Sequence, residues 1–205
     1  MKELLHGYRR FRETEWPERR RLYHYLARRG QHPRAIVLGC VDSRVDPATI
    51  FDTGPGELFV IRNVANIVPP YERTAGHHGT SAALEYGVRE LKIPDLLVLG
   101  HGGCGGIQAL LNAASIGSGD FIGDWLDIAS PARDSVASIA DPTERQWRAE
   151  WETVKLSVAR LMTFPWIAEA VADGDLQVQG AHFDVRTGEL RMLNAEGGFD
   201  AVPSA

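Results

Sequence analysis

Two cysteines and one histidine form the group of residues in this sequence with the clearest capacity for chemistry. Cys40 is followed 61 positions later (101 minus 40) by His101, and Cys104 lies three residues beyond that histidine. Two thiolates and one imidazole suit Zn²⁺. A structural zinc site normally has four protein ligands, whereas three leave one coordination position open, as in catalytic sites. The sequence therefore predicts a catalytic type of zinc centre.

The segment His101–Gly106, HGGCGG, is compatible with this prediction, because its four glycines permit tight turns and close approach of small ligands. Other interpretations exist for each element alone. A single buried cysteine is more often a core residue, and a glycine-rich loop can bind phosphate. The P-loop Lys-Ser/Thr pair is absent, however, and redox dithiols usually occupy a CxxC motif, unlike Cys40 and Cys104. The three residues together favour zinc.

A carboxylate and a guanidinium follow the first cysteine. Asp42 lies two residues beyond Cys40, and Arg44 two residues beyond Asp42. A carboxylate near zinc can accept a hydrogen bond from a bound water or occupy the open position itself. Arg44 can hold that carboxylate in a bidentate pair. Asp42 is therefore a candidate conditional fourth ligand, and Asp42 and Arg44 are candidate catalytic residues; the alternative for these residues alone is a turn-stabilising Asp and a surface ion pair.

Short apolar runs with turn residues at their ends predict the strands that position these groups. Cys40 follows one such run directly, and His101 follows another, so both lie at carboxyl ends where α/β sheets collect ligands. The predicted strands are Ala35–Leu38, Glu57–Ile61, Asp95–Leu99, Leu176–Phe183 and Glu189–Leu193, the last two joined by a turn at Thr187-Gly188.

Helical patterns alternate with these strands, at about 3–14, 17–29, 75–91, 104–114, 120–129 and 143–163. Strands separated by helices imply crossover connections and a mostly parallel sheet. We predict an α/β fold whose central sheet has an antiparallel edge strand, helices on both faces and an N-terminal helical arm over residues 1–30. One domain over residues 1–205 is expected from the length.

The charge balance limits the possible partners. The net charge of −5 argues against a general nucleic-acid binder, although residues 1–34 contain ten Lys/Arg and four Asp/Glu. No apolar run is long enough to span a membrane. The start of the chain, MKELLHGYRRFRETEW, lacks the apolar region of a signal peptide. We therefore expect a cytoplasmic protein without nucleic-acid or membrane partners.

The order C-x-D-S-R followed by H-x-x-C-G-G resembles the β-class carbonic anhydrases. The resemblance covers most of the chain, and VPPY, GDFI and the N-terminal helix pair are closer to the plant-type branch and its bacterial relatives. The other segments that carry it are Pro55–Phe59, Arg62–Asn66, Gly79–Tyr86 and Thr163–Trp166.

This resemblance implies reversible hydration of carbon dioxide to bicarbonate and a proton by zinc-bound hydroxide, with one Zn²⁺ per subunit. The family's zinc ligands fall on Cys40, His101 and Cys104, and its Asp–Arg pair falls on Asp42 and Arg44. The family also implies a homodimer or dimer of dimers, with the N-terminal helices at the dimer interface. We further predict Gly102 as a substrate-binding residue.

Two departures from the family pattern concern a regulatory site and the active site. Some bacterial relatives have an inhibitory bicarbonate site built from Trp, Arg and Tyr; Arg62 matches the Arg, but Val37 and Phe183 stand at the other two positions. The active-site Gln of the plant-type branch is replaced by Gly54. An inhibitory bicarbonate site is therefore not expected.

Proton transfer and two alternative functions complete the sequence-based hypotheses. His77 and His78 are candidate proton shuttles, because they lie in a predicted loop and histidine titrates near neutral pH. A CS₂ or COS hydrolase on the same scaffold would keep the same zinc ligands. A non-catalytic zinc-binding assembly protein would instead keep Asp42 permanently on the metal.

Overall fold

A six-stranded sheet is at the centre of the computed structural model, which describes residues 1–74, 76–112 and 119–203. The strands in that part of the chain are β1 (Ala35–Cys40), β2 (Leu58–Asn63), β3 (Asp95–His101), β4 (Gln177–Phe183), β5 (Leu190–Leu193) and β6 (Phe199–Ala201). Their order is β2-β1-β3-β4-β5-β6. The first four are parallel, while β5 and β6 are antiparallel. The predicted α/β fold is confirmed, with two antiparallel strands at its edge.

The antiparallel edge is built by two turns. Gly188, at the predicted first turn, has φ +74°, and its N–H donates to the carbonyl of Asp184 at 2.8 Å. The second turn uses Asn194, whose side-chain oxygen accepts from the N–H of Gly198 at 2.7 Å. The strand after it, β6, was not predicted, because three residues are too few to show an alternating pattern.

Nine α-helices are present in the described residues. They are α1 (Lys2–Glu13), α2 (Glu15–Arg29), α3 (Pro47–Ile50), α4 (Gly79–Glu85), α5 (Gly105–Leu111), α6 (Ile122–Asp127), α7 (Ser130–Ser135), α8 (Pro142–Leu161) and α9 (Pro165–Ala172). A 3₁₀ turn, Val64–Asn66, follows β2, and a π-helical turn, Tyr86–Glu90, follows α4.

The sequence missed α3, α7 and α9, because helices of four to eight residues show too little of the helical period. The helix predicted over 75–91 begins only at Gly79 and ends in the π-helical turn. Residue 75 and the end of the helix predicted over 104–114 lie outside the described residues.

The long helix α8 packs directly on β3 and β4, because two glycines leave room for it. A Cβ at Gly100 would lie 2.5 Å from a methyl group of Val154, and one at Gly180 would lie 2.9 Å from another. Side chains that alternate along the strands, such as Ile36, Leu38 and Val98, join the same buried core. The close approach sets the N-terminal half of α8 against the carboxyl ends of β3 and β4.

The opposite face of the sheet is covered less completely. Its apolar side chains include Val37, Leu99 and Ala181, against which Ile50 of α3 and the following Phe51 pack. A cavity of about 390 Å³ remains on this face, lined by strand residues such as Leu58 and Met192. Helices therefore lie on both faces, but α3 is short.

The two N-terminal helices pack on each other through aromatic rings. The ring of Phe11 lies 6.3 Å from those of Trp16 and Tyr23. Neither helix has a buried residue, and Leu4 is 72% exposed. In the described residues, no helix combines the length and apolar character that a membrane crossing requires.

Candidate metal centre

Adjacent parallel strands bring the three predicted zinc ligands together. Cys40 ends β1, His101 ends β3, and Cys104 follows three residues later. Their candidate ligand atoms all lie within 4.8 Å of one another, and all three residues are buried. The two sulfur atoms are 3.9 Å apart. The geometry therefore joins the two sequence segments as predicted.

The orientation of His101 fits a metal ligand. Its Nδ1 donates to the carbonyl of Gly102 at 3.1 Å, which leaves Nε2 with the lone pair. Nε2 is buried and has no hydrogen-bond partner in the described part of the chain. Because buried polar atoms are normally paired, an orphaned acceptor beside two sulfurs is the arrangement expected of a site that takes a cation.

The pKa values of the two thiols are shifted in opposite directions. A hydrogen bond from Cys104 lowers the pKa of Cys40 to about 4, although burial acts in the opposite direction. The same hydrogen bond, together with burial, raises the pKa of Cys104 far above its usual range. Burial lowers the pKa of His101, but the Cys40 thiolate outweighs this effect and raises it. Without a metal, the sulfur pair therefore holds one proton at neutral pH, which a soft cation can replace.

Asp42 and Arg44 form a bidentate pair beside these ligands. The Nε and Nη2 atoms of Arg44 donate to the two Asp42 oxygens at 2.9 and 2.7 Å. This pairing holds the pKa of Asp42 well below its usual range. Asp42 Oδ2 also lies 4.0 Å from Nε2 of His101. The carboxylate is therefore within reach of the ligand group while Arg44 restrains it.

Arg62 supports the backbone that presents Cys40 and Asp42. It donates to the carbonyl oxygens of Cys40 at 2.8 Å and Asp42 at 2.7 Å. Val37, at one of the departures from the family pattern, is buried on the less covered face of the sheet. Through these hydrogen bonds Arg62 stabilises the backbone at the end of β1 and in the loop after it.

A buried polar group behind Cys104 was missed by the sequence analysis. Glu150 of α8 is 2% exposed, and its carboxylate accepts from the N–H of Cys104 at 3.0 Å. Gln146, one helical turn earlier, donates to the carbonyl of Cys104, and His182 of β4 donates to Glu150. One signal was available: Glu150 lies four residues before the buried Val154, and so on the apolar face of the helix.

The remaining predicted residues lie in loops. The N–H of Gly102 donates to the carbonyl of Phe183 at 2.9 Å, so this N–H already has a partner within the protein. His77 is exposed, and Nε2 of His78 lies 3.0 Å from the Thr74 hydroxyl. Their roles in substrate binding and proton transfer stay predictions.

Comparisons with known proteins agree with this geometry. A family model described as carbonic anhydrase matches residues 35–190. Beta carbonic anhydrase 3 of Arabidopsis thaliana is 34% identical over 97% of this chain and 78% of that protein. The solved β-carbonic anhydrase CcaA is 33% identical, with a TM-score of 0.93 over 100% of this chain and 92% of that one.

A tetrameric β-carbonic anhydrase of Sordaria macrospora gives a TM-score of 0.83 at 32% identity, over 95% of this chain and 96% of that one. The family model covers more than half of the chain, and the similarity to the Arabidopsis protein extends over nearly all of it. The chain therefore belongs to the carbonic anhydrase family, within its β class, and is a carbonic anhydrase.

Proposed function

We propose that this enzyme uses one Zn²⁺ per subunit, held by Cys40, His101 and Cys104, for the reversible hydration of carbon dioxide to bicarbonate and a proton. The observation that carries the proposal is the convergence of the two cysteine sulfurs on Nε2 of His101, which has no hydrogen-bond partner among the residues that the structure describes. When bound, zinc would lower the pKa of a coordinated water to about 7 and so supply hydroxide at neutral pH.

Asp42 and Arg44 have complementary roles in this proposal. The depressed pKa of Asp42 keeps it a carboxylate, and hence a hydrogen-bond acceptor, at neutral pH. Its place beside Nε2 of His101 lets it orient a donor at the open coordination position. Arg44 also donates to the carbonyl of Gly103 at 3.0 Å, and so connects the Asp42–Arg44 pair to the loop between His101 and Cys104. This restraint opposes direct ligation by Asp42.

Stopped-flow measurement of carbon dioxide hydration between about pH 6.5 and 9 tests the proposal, with zinc content determined on the same sample. We expect stoichiometric zinc and a turnover that rises with pH. Stoichiometric zinc without turnover at any pH would overturn the proposal and favour a non-catalytic zinc protein. A steep loss of turnover confined to acid pH would identify Asp42 as the conditional ligand. Turnover of CS₂ or COS instead of carbon dioxide would identify the alternative hydrolase.

We also propose a homodimer or dimer of dimers with the N-terminal arm at the dimer interface. Leu4 and Tyr8 of α1 and Tyr25 of α2 are largely exposed, which is costly for an isolated arm. The similarity to a tetrameric relative supports an assembly of this kind. Sedimentation of the full chain and of a variant lacking residues 1–30 tests the proposal; we expect dissociation of the dimer in the shortened protein. A cytoplasmic location stays a prediction.

A further inference from the structure

We propose that Glu150 is a positioning residue for the metal ligand Cys104, acting through a buried clamp formed by Glu150, Gln146 and His182. The proposal rests on the zinc site proposed above. Glu150 touches no reacting atom; its role is to fix the backbone from which the Cys104 sulfur projects.

The clamp holds both backbone polar groups of Cys104. Glu150 Oε1 accepts from its N–H at 3.0 Å, and Gln146 Nε2 donates to its carbonyl at 3.1 Å. Gln146 Nε2 also lies 2.8 Å from Glu150 Oε1, so the two side chains fix each other. Cys104 precedes α5 directly, and its carbonyl accepts from the N–H of Gln108 at 3.0 Å. The ligand is therefore held between α5 and α8.

The second carboxylate oxygen of Glu150 is also bound. His182 Nε2 donates to Oε2 at 3.2 Å from the neighbouring strand β4. The side chains of Glu150 and His182 are 1% and 6% exposed. An ionised carboxylate buried to this degree is costly unless it is paired and hydrogen-bonded. Glu150 meets this requirement by binding the ligand loop, which indicates that fixing Cys104 is its role.

The close packing of α8 on the sheet fixes the position of Glu150 relative to Cys104. Val154 lies one helical turn beyond Glu150 and fills the space left by Gly100 and Gly180. Gly100 immediately precedes His101. The distance between α8 and the metal loop is thus set by direct contact with the strand that carries a second ligand. Groups that orient metal ligands from behind typically change metal affinity or activity 10–100-fold when altered.

The rate of zinc loss from the loaded enzyme to an excess of chelator tests the proposal. We expect Glu150→Ala, which removes the acceptor of the Cys104 N–H, to accelerate zinc loss by about tenfold or more. Glu152→Ala is the matched control, since Glu152 lies on the same helix but pairs with Lys155. We expect its rate to equal that of the parent. Equal rates for Glu150→Ala and Glu152→Ala would overturn the proposal.

Spectroscopy of the cobalt-substituted enzyme separates positioning from a general loss of stability. The thiolate-to-cobalt charge-transfer band should shift in Glu150→Ala, because Cys104 changes its orientation, and stay unchanged in Glu152→Ala. A thermally weakened Glu150→Ala variant with an unchanged band would show a merely structural role and overturn the proposal.

A cavity offers a chemical rescue. Gln146, Glu150 and His182 line a space of about 690 Å³, which can admit a small carboxylate. Acetate should slow zinc loss from Glu150→Ala and not from the parent; an equal response of both would count against the clamp.

If Glu150→Ala does not fold, Gln146→Ala replaces it in the comparison of zinc-loss rates. A rate equal to that of the parent would then contradict the proposal. A parent that binds no zinc would refute the proposed function as well, whereas equal zinc-loss rates refute the clamp alone.

Discussion

The two halves of the proposed metal centre are held in different ways. The end of β1 and the loop after it carry Cys40 and the Asp42–Arg44 pair, and the Arg44 side chain is 52% exposed. The end of β3 and the loop after it carry His101 and Cys104, and Glu150, whose side chain is 1% exposed, binds the backbone of Cys104. Arg44 is open to solvent while Asp42 is only 18% exposed, whereas Glu150 in the clamp is almost completely buried. The first loop is thus suited to adjusting the open coordination position, and the second to holding the ion.

Removal of a ligand from the buried half should have the largest effect. We expect Cys104→Ser to lose zinc and to lose turnover beyond the 10–100-fold typical of groups behind the ligands. Metal analysis and stopped-flow hydration on the same preparation measure both. Full zinc content in this variant would show that the second loop is not the main anchor of the ion.

The pH dependence of zinc affinity should show how many protons the sulfur pair holds. At pH 6–8 the hydrogen-bonded pair has one proton to release, because the pKa of Cys40 is lowered and that of Cys104 is raised. Apparent affinity should therefore rise by about tenfold per pH unit, and more steeply below the raised pKa of His101, where a second proton is displaced. Chelator competition at several pH values measures this slope. An affinity independent of pH would contradict the retention of one proton by the sulfur pair.

A milder change tests the exposed half. Lysine cannot form the bidentate pair, so Arg44→Lys should free Asp42 to take the fourth coordination position. We expect turnover to fall by about tenfold near neutral pH, with zinc retained, and to fall further toward acid pH, where competing hydroxide is scarcer. The pH profile of kcat/KM checks this expectation. A variant with the parent's profile would show that Arg44 does not restrain Asp42.

The smallest effect is expected in the loop before α4. If His77 and His78 transfer protons, replacing both with alanine should lower turnover several-fold at low buffer concentration and not at high concentration, since external buffer then replaces the histidines. Stopped-flow hydration over a range of buffer concentrations measures the difference. Identical buffer dependence in both proteins would remove this role.

The sequence predicts the part of the site whose residues lie at the ends of recognisable strands. Cys40 and His101 each lie at the carboxyl end of a predicted parallel strand, and such ends share one edge of the sheet, so their proximity could be predicted, although the adjacency of β1 and β3 is seen only in the structure. Glu150 and His182 were not found, because their meeting depends on how closely α8 packs on the sheet. That distance is set by Gly100 and Gly180, which carry no pattern that can be read along the chain. The fold was predictable to the same extent: the long helices and buried strands were found, and β6 and the short helices α3, α7 and α9 were not.

The two glycines under α8 also affect how mutational data on this enzyme would be interpreted. An added methyl group at Gly100 or Gly180 would push Val154, and with it the whole helix, away from the sheet. Glu150 would then withdraw from Cys104, although neither substituted residue is a proposed ligand. In a screen for activity, positions 100 and 180 would therefore score like ligand positions. Sensitivity to substitution at these two sites would report the spacing of a helix and not contact with substrate.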